Sequence, residues 1–302
     1  QMNGSGPAVS VVLPTYNRAH LLSESIGSVL AQGYSDFEIL VVDDGSTDNT
    51  REVVAGIDDK RIRYVELTPN RGQASARNVG IKEAKADLIA FQDSDDIWMP
   101  EKLGMQVSAL RESPPGTGVV YTAYERICGN RRDVLPSRRI VATTGDVHAQ
   151  LLRGNFITTQ TTIVRRECFE KAGSFNESQK SMDDWDLFIR LSKDCHFVFV
   201  DKLLVQCRVQ SDSVSVDMDR FVCAYEKILL RHKGEIPDNS DLLAWHYAVI
   251  GGRLCRNGDL RRGRAYLGKA LRIRPMYPRY VAAMVLSLLG PRACTLVHRL
   301  KG

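Results

Sequence analysis

Four short apolar runs in the first hundred residues constrain the fold more than any other feature of the 302-residue chain. They are VSVVLP (Val9 to Pro14), FEILVVDD (Phe37 to Asp44), RIRYVEL (Arg61 to Leu67) and DLIAFQD (Asp87 to Asp93). A strand with one wet face alternates apolar and polar residues. Unbroken runs such as the first, second and fourth belong to strands covered on both faces. The segments between them have helical character. HLLSESIGSVLAQ places Leu22, Ile26, Val29 and Leu30 on one face, DNTREVVAGI makes a short helix, and GQASARNVGIKEA makes a helix rich in small residues. Strands alternating with crossover helices predict an α/β fold: a mostly parallel sheet flanked by helices on both faces.

Ligands of such sheets sit beyond the carboxyl ends of the strands. Three runs end there in polar clusters: Pro14-Thr15-Tyr16-Asn17, Asp43-Asp44-Gly45-Ser46 and Asp93-Ser94-Asp95-Asp96. Crowded carboxylates repel, so either water solvates them or something positive sits among them. Asp93 and Asp95, two apart just past a strand, can offer oxygens to one hard divalent cation, Mg²⁺ or Mn²⁺, which commonly completes its shell with water and substrate phosphate. A solvated acidic turn leading into the helix that Pro100-Glu101 opens would look the same. Asp44, closing the second strand, can hold a ribose or a base edge. An Asx turn into the helix near Asn49, capped by Ser46, Thr47 or Asp48, is the plainer reading, and both can hold together. In NRGQASARNVG (Asn70 to Gly80), Arg71 and Arg77 suit either a phosphate or an ion pair with nearby acids. No G-x-G-x-x-G follows the first strand and no Walker A sequence is present, so dinucleotide-oxidoreductase and P-loop readings lose their main support.

From Gly118 the texture changes. GVVYTAY reads as a strand and VLPSRRIVATTG as a mixed basic excursion. TTQTTIVRRECFEKAGSF gives strand, helix and a turn at Gly173, and HFVFVDKLLVQCRV gives two further strands. In SMDDWDLFIR, Asp183 and Asp184 fall in the first turn of a helix. Favourable interaction with the helix dipole, ~0.3–1 kcal/mol, accounts for them, and so would a general base at the rim of a site. After Asp217 the chain reads as helical, with breaks at Gly234–Pro237, Gly258, Pro275 and Gly290-Pro291. GDLRRGRAYLGKALRIRP is like the second helix of a tetratricopeptide repeat but occurs once, which predicts a helical hairpin.

The net charge of +5 is uneven: residues 253–302 hold twelve Lys/Arg against one acid, Asp259, giving +11, and the rest of the chain carries −6. These arginines are interleaved with Leu, Tyr and Ala and match no nucleic-acid-binding motif. They suit an anionic membrane surface, a phosphate-bearing acceptor, or the wet side of packed helices. The apolar stretch from Tyr280 to Leu289 is about half of the ~20 residues a spanning helix needs. Seven scattered cysteines, odd in number and without a CxxC, point to a reducing cytosol rather than a disulfide framework or a zinc site. Residues 1–7, QMNGSGP, read as a frayed start outside the fold.

In order and spacing, VSVVLPTYNR, LLSESIGSVLAQ, FEILVVDDGSTDNT, NRGQASARNVGI and ADLIAFQDSDD resemble the family 2 glycosyltransferases with a GT-A fold. The likeness is dense from Val9 to about Leu110 and continues more loosely through SMDDWDLFIRL and CRVQSDSVS to about Ser215. It implies a catalytic domain over 8–216, with a nucleotide-sugar-binding half (8–115) and an acceptor-binding half (116–216). A basic C-terminal helical extension follows at 217–302. The resemblance implies roles as well. Pro14, Thr15, Tyr16 and Asn17 edge the nucleotide pocket, Asp44 bonds the uracil ring, and Arg71, Arg77, Asn78 and Ser94 face the donor. Asp93 and Asp95 are the DxD pair, with Asp95 the more direct ligand of Mn²⁺ or Mg²⁺ and Asp93 nearer ribose or water. Asp184 is the catalytic base. Two departures stand out: Asp183-Asp184-Trp185-Asp186 replaces the usual Glu-Asp-x-Asp, and Gln210 takes the place of a frequent histidine in Arg208-Val209-Gln210.

The resemblance further implies inverting transfer from a UDP-sugar to a hydroxyl of a carbohydrate or lipid-linked acceptor. The setting would be bacterial polysaccharide, glycolipid or glycoconjugate synthesis, in the cytoplasm with peripheral membrane contact and no nucleic-acid partner. Two other readings compete. A nucleotidyltransferase needs a glycine-rich loop after the first strand, and PTYNRAH has no glycine. A catalytically silent nucleotide-sugar binder sits poorly with intact Asp93, Asp95 and Asp184.

Overall fold

The apolar runs become strands β1 (Val9–Thr15), β2 (Phe37–Asp43), β3 (Ile62–Glu66) and β4 (Leu88–Phe91), linked by helices α1 (Ala19–Leu30), α2 (Thr50–Ala55) and α3 (Gln73–Glu83). The computed structural model describes residues 6–136, 144–209 and 218–299. These four strands pair in parallel in the order β3-β2-β1-β4. Every residue of β1 and β2 is buried, as continuous apolar runs require. Alternate side chains serve different layers. Val9, Val11 and Leu13 share a core with Ile39 and Val41, with Leu22, Ile26 and Val29 of α1, and with Val54 of α2. Val12 points the other way, where α3 rides so close that a Cβ on Gly80 would fall 2.2 Å from Val12 Cγ1.

Beyond β4 the sheet becomes mixed. Antiparallel β8 (Thr162–Arg165) joins β4 to β6 (Thr117–Cys128), and β9 (His196–Arg208) runs parallel to β6. The two-residue β5 (Ile97–Trp98) closes the edge antiparallel to β9, and β7 (Arg131–Leu135) forms a hairpin with β6. The order is β3-β2-β1-β4-β8-β6-β9-β5, with β7 on β6. The two strands expected in HFVFVDKLLVQCRV are one: the register steps from Thr122↔Val200 to Ala123↔Leu203, so the exposed Asp201-Lys202 pair forms a bulge rather than a turn. Three helices complete this part: α4 (Lys102–Glu112), which adds Leu103, Val107 and Leu110 to the core, α5 (His148–Arg153) and α6 (Arg166–Ala172). A further one, α7 (Asp183–Leu191), buries Trp185, Leu187, Phe188 and Ile189.

The chain divides into two compact units, residues 1–210 and 211–302. The boundary expected at 216/217 falls outside the described residues, as does Gln210. The second unit holds α8 (Met218–His232), α9 (Asp241–Arg256), α10 (Leu260–Ile273), α11 (Pro278–Leu288) and α12 (Pro291–Arg299). Its breaks fall at the expected glycines and prolines. Ser240 and Asp259 cap α9 and α10 by accepting the N–H groups of Leu243 (3.1 Å) and Arg262 (3.0 Å). Ala244 of α9, Ala270 of α10 and Tyr280 of α11 share a small core. Among the described residues no helix is long and apolar enough to cross a membrane.

Candidate active site

The loops after β1 and β2 lock into each other. Asn17, in the left-handed region at φ 51°, donates its N–H to Ser46 Oγ (2.8 Å) and accepts from the Thr47 N–H (2.8 Å). Asp43 accepts from the Ser46 N–H (2.8 Å) and the Tyr64 hydroxyl (2.5 Å). Gly45 has φ 80° and passes the Leu67 carbonyl so closely that a Cβ would lie 3.1 Å from it. Asp44 is buried, and its two oxygens accept the N–H groups of Arg71 (2.8 Å) and Gly72 (2.6 Å) at the start of α3. Pro14 and Thr15 lie buried at the end of β1, whereas Tyr16 stands on the rim, 46% exposed.

The end of β4 carries the acidic cluster. Asp93 and Asp95 are half-buried, while Ser94 and Asp96 are buried. Asp96 accepts from Gln160 Nε2 (2.8 Å) and the Arg208 N–H (3.0 Å). Burial, then the charges of Asp93 and Asp95, hold its carboxyl well above the usual carboxylate range. The Arg208 guanidinium turns away to a two-pronged pair with Glu24 (2.6 and 2.8 Å). Asp93 Oδ1 accepts from Arg77 Nη2 (2.8 Å) and Gln73 Nε2 (3.3 Å).

Arg77 joins this cluster to α7. Its Nη1 donates to Asp183 (3.0 Å), a residue 106 positions away, and its guanidinium lies over the Phe175 ring. Burial works against that charge, but Asp93 and Asp183 outweigh it and raise the pKa above the ordinary arginine value. Met182, just before α7, takes a left-handed conformation (φ 55°), a strain found most often near functional sites. Three acids follow in the first turn, each differently held. Asp183 goes to Arg77, and the fully buried Asp186 to Arg190 (3.1 Å). Arg190 in turn donates to the carbonyls of Ala172, Gly173 and Ser174. Asp184 has two neutral donors, Asn155 Nδ2 (3.1 Å) and the Trp185 N–H (2.7 Å). Burial first, then the Asp183 charge, push its carboxyl up to about 7 against the pull of Arg77 and those two donors. A carboxylate with that pKa is poised to accept a proton near neutral pH.

Two residues expected to face the donor are engaged elsewhere. Asn78 bonds both ways to the Phe175 backbone (2.9 Å each) and to Glu177 (3.0 Å), which fixes the loop before α7. The Arg71 side chain is exposed and lies 3.8 Å from Glu177. Conversely, Gln160 and Asn155 lie at the site without a role expected from the sequence, and Asp96, visible there only as part of the acidic cluster, is its buried member. Asn155 sits in a stretch with no pattern to reveal it.

A profile of the Glycosyl transferase family 2 matches residues 10–173, more than half of the chain. The chain belongs to glycosyltransferase family 2. A relative at 32% identity over 213 residues, covering 70% of this chain and 81% of its own, is UDP-Glc:alpha-D-GlcNAc-diphosphoundecaprenol beta-1,3-glucosyltransferase WfgD of Escherichia coli. An uncharacterized glycosyltransferase of Rickettsia typhi is 32% identical over 212 residues, 69% of this chain and 66% of its own length. Among solved structures, S. aureus TarS 1–349 in complex with UDP-GlcNAc superposes with TM-score 0.71 at 19% identity, covering 97% of this chain and 92% of that one. Mannosyltransferase PcManGT from Pyrobaculum calidifontis, in complex with GDP-Man and Mn²⁺, does so with TM-score 0.60 at 19% identity, covering 96% and 86%. These likenesses establish the GT-A fold for this family 2 glycosyltransferase.

The donor set at the end of β4 fits a hard cation that shares its shell with a ligand. Among the described residues no three His, Cys, Asp or Glu side chains form a metal cage. Carboxylate oxygens of Asp95 and Asp93 suit Mn²⁺ or Mg²⁺, which bind through one or two carboxylates plus water and phosphate.

Proposed function

We propose that this glycosyltransferase moves a sugar from a UDP-sugar to an acceptor hydroxyl, with inversion, using Mn²⁺ or Mg²⁺ held by Asp95 and Asp93 and using Asp184 as base. The observation that carries this reading is Arg77: one buried guanidinium holds both Asp93 and Asp183, so the acidic cluster and the residue beside the base are fixed against each other. Pro14, Thr15, Tyr16, Asn17 and Asp44 hold the nucleotide within residues 8–115. The acceptor meets residues 116–216, and 217–302 form the helical extension. Asp184 takes the proton of the acceptor hydroxyl as its oxygen attacks the anomeric carbon. The bond to the diphosphate breaks as the new one forms, and the configuration inverts. The bound cation supplies charge neutralisation for the departing diphosphate. UDP-GlcNAc in the TarS complex and UDP-Glc in the name of WfgD support a UDP-sugar donor. WfgD's lipid-linked acceptor supports a carbohydrate or lipid-linked acceptor here, in bacterial polysaccharide, glycolipid or glycoconjugate synthesis at the inner face of the membrane.

A screen of UDP-sugars for UDP release, with and without Mn²⁺, tests the reading. Turnover is expected to require the cation and to fall roughly a hundredfold or more in Asp95→Ala, with the melting temperature of the apoprotein little changed. Full turnover in excess EDTA overturns the metal assignment. Pyrophosphate as the product in place of UDP overturns glycosyl transfer in favour of nucleotidyl transfer.

A further inference from the structure

The helical unit carries an exposed apolar face. α11 turns Tyr280 and Ser287 inward, and the Ser287 carbonyl accepts from Arg264 (2.6 Å). Its opposite face presents Val281, Ala282, Val285 and Leu288, followed by Leu289, and all five are exposed. Val285 is 50% exposed, Leu288 64% and Leu289 72%; Met276, in the turn before the helix, is 86% exposed. From Tyr280 to Gly290 there is no charged residue. Single exposed apolar side chains need no explanation, but a helix face made only of them marks a contact surface.

The rim of this face identifies what covers it. Exposed Arg272 and Arg279 lie at one end and Arg292 at the other. Arg274 is paired with Asp241, and the one acid of residues 253–302, Asp259, caps α10 and pairs with Arg262. A second copy of the chain would bring two segments of +11 face to face, whereas an anionic surface would complement them. At 11 residues α11 is about 17 Å long, too short for the ~30 Å core of a bilayer, so it can lie in the interface but not span it.

We propose that the outer face of α11 is a bilayer-contact surface selective for anionic lipid. Val281, Val285, Leu288 and Leu289 enter the headgroup–acyl boundary, and Arg272, Arg279 and Arg292 meet the lipid phosphates. The inference rests on the membrane placement proposed above and names the surface responsible. It is read without donor or acceptor, so its failure is distinct from a failure of glycosyl transfer.

The full chain is sedimented with phosphatidylcholine vesicles, pure or mixed with equal phosphatidylglycerol. The expected result is pelleting with the mixed vesicles, release at high salt, and little pelleting with the neutral ones. The double substitution Val285→Glu and Leu288→Glu should weaken binding by about tenfold or more, while UDP-sugar hydrolysis and the circular dichroism spectrum are retained. Arg279→Gln with Arg292→Gln should weaken it by about fivefold per arginine. Hydrogen exchange on the wild-type chain should show residues 276–292 protected when mixed vesicles are added. Equal binding to neutral vesicles, unchanged exchange at 276–292, or full binding by the glutamate variant overturns the proposal. Lipid-free self-association abolished by the glutamate variant, without vesicle binding, also overturns it and makes the face a contact between copies.

Discussion

Residues 93–96 and 183–186 have nearly the same texture, three aspartates within four positions at the start of a new element, yet they are electrostatically unlike. In α7 the protein supplies its own positive partners. Arg77 meets Asp183, Arg190 meets Asp186, and the helix N-terminus adds its partial positive charge. At the end of β4, Asp93 shares Arg77, but Asp96 is held by neutral donors, a glutamine amide and a backbone N–H. Burial and the charges of Asp93 and Asp95 raise the Asp96 carboxyl, so the acids of this cluster repel one another. A cation suits β4, whereas α7 leaves one carboxylate, Asp184, with neutral donors and a pKa near that of a working base. Arg77 reaches both clusters, whereas Arg190, four residues on in the same helix, pairs only within α7.

Substitution at Asp184 tests this contrast hardest. Asp184→Asn keeps size and one of the two acceptor oxygens but cannot take a proton. Transfer is expected to fall by a factor on the order of 10²–10⁴, while calorimetry shows UDP and Mn²⁺ still binding. In the wild type kcat/KM should rise with pH through about 7, because the base must be ionised and burial with the Asp183 charge has raised its pKa. The same shift has a sign for stability. A carboxyl whose folded pKa is raised stabilises the fold below its unfolded value near 4, and that contribution is lost as pH climbs through 7. The melting temperature of Asp184→Asn relative to wild type should therefore rise between pH 5 and pH 8, by on the order of 2–4 °C, whatever the lost acceptor costs. Loss of UDP binding with transfer preserved would reverse the assignments of the two clusters.

How far the site was legible follows the same division. β1, β2 and β4 announce themselves because burial on both faces leaves continuous apolar runs, and their polar ends then locate the rim. The turn before the helix near Asn49 is legible, with Asp43 accepting from the Ser46 N–H and Asp48 from the Thr50 N–H, whereas Asp44 holds the start of α3, a contact the sequence does not reveal. The order β8-β6-β9-β5 was not legible, since it depends on pairings between distant segments and on a bulge at Asp201-Lys202 that resembles a turn in sequence. Arg77 was visible as a choice between phosphate and ion pair. In the structure it pairs with Asp183, brought over 106 positions by the packing of α3 against the loop before α7, which Asn78 ties down.

A smaller effect is expected at that bridge. Arg77→Met removes the shared cation and leaves Asp93 and Asp183 without their partner, both largely buried. Breaking such a pair from one side costs about 3–5 kcal/mol, seen as a fall in the denaturant midpoint. If Arg77→Met is as stable as wild type at pH 8, the two clusters are not coupled through the guanidinium, and the contrast between them is local to each.

The smallest expected effect refines the role of Asp184 without removing it. The amide of Asn155 donates to Asp184 Oδ2 at 3.1 Å, a bond that favours the charged form. The contact lies at the exposed edge of the site, so in Asn155→Ala water takes over part of the donation and the rate above the limb should change by less than about threefold. The readout that separates this from a merely structural role is the position of the limb in the pH dependence of kcat/KM. It should move upward in Asn155→Ala and further upward in Asn155→Asp, where a like charge replaces a donor. An unmoved limb in Asn155→Asp would mean that the titrating group is not Asp184. Upward movement in that order, with UDP affinity unchanged, would tie the limb to α7 and not to the acids of β4, whose neutral donors include Gln73, Gln160 and the Arg208 N–H.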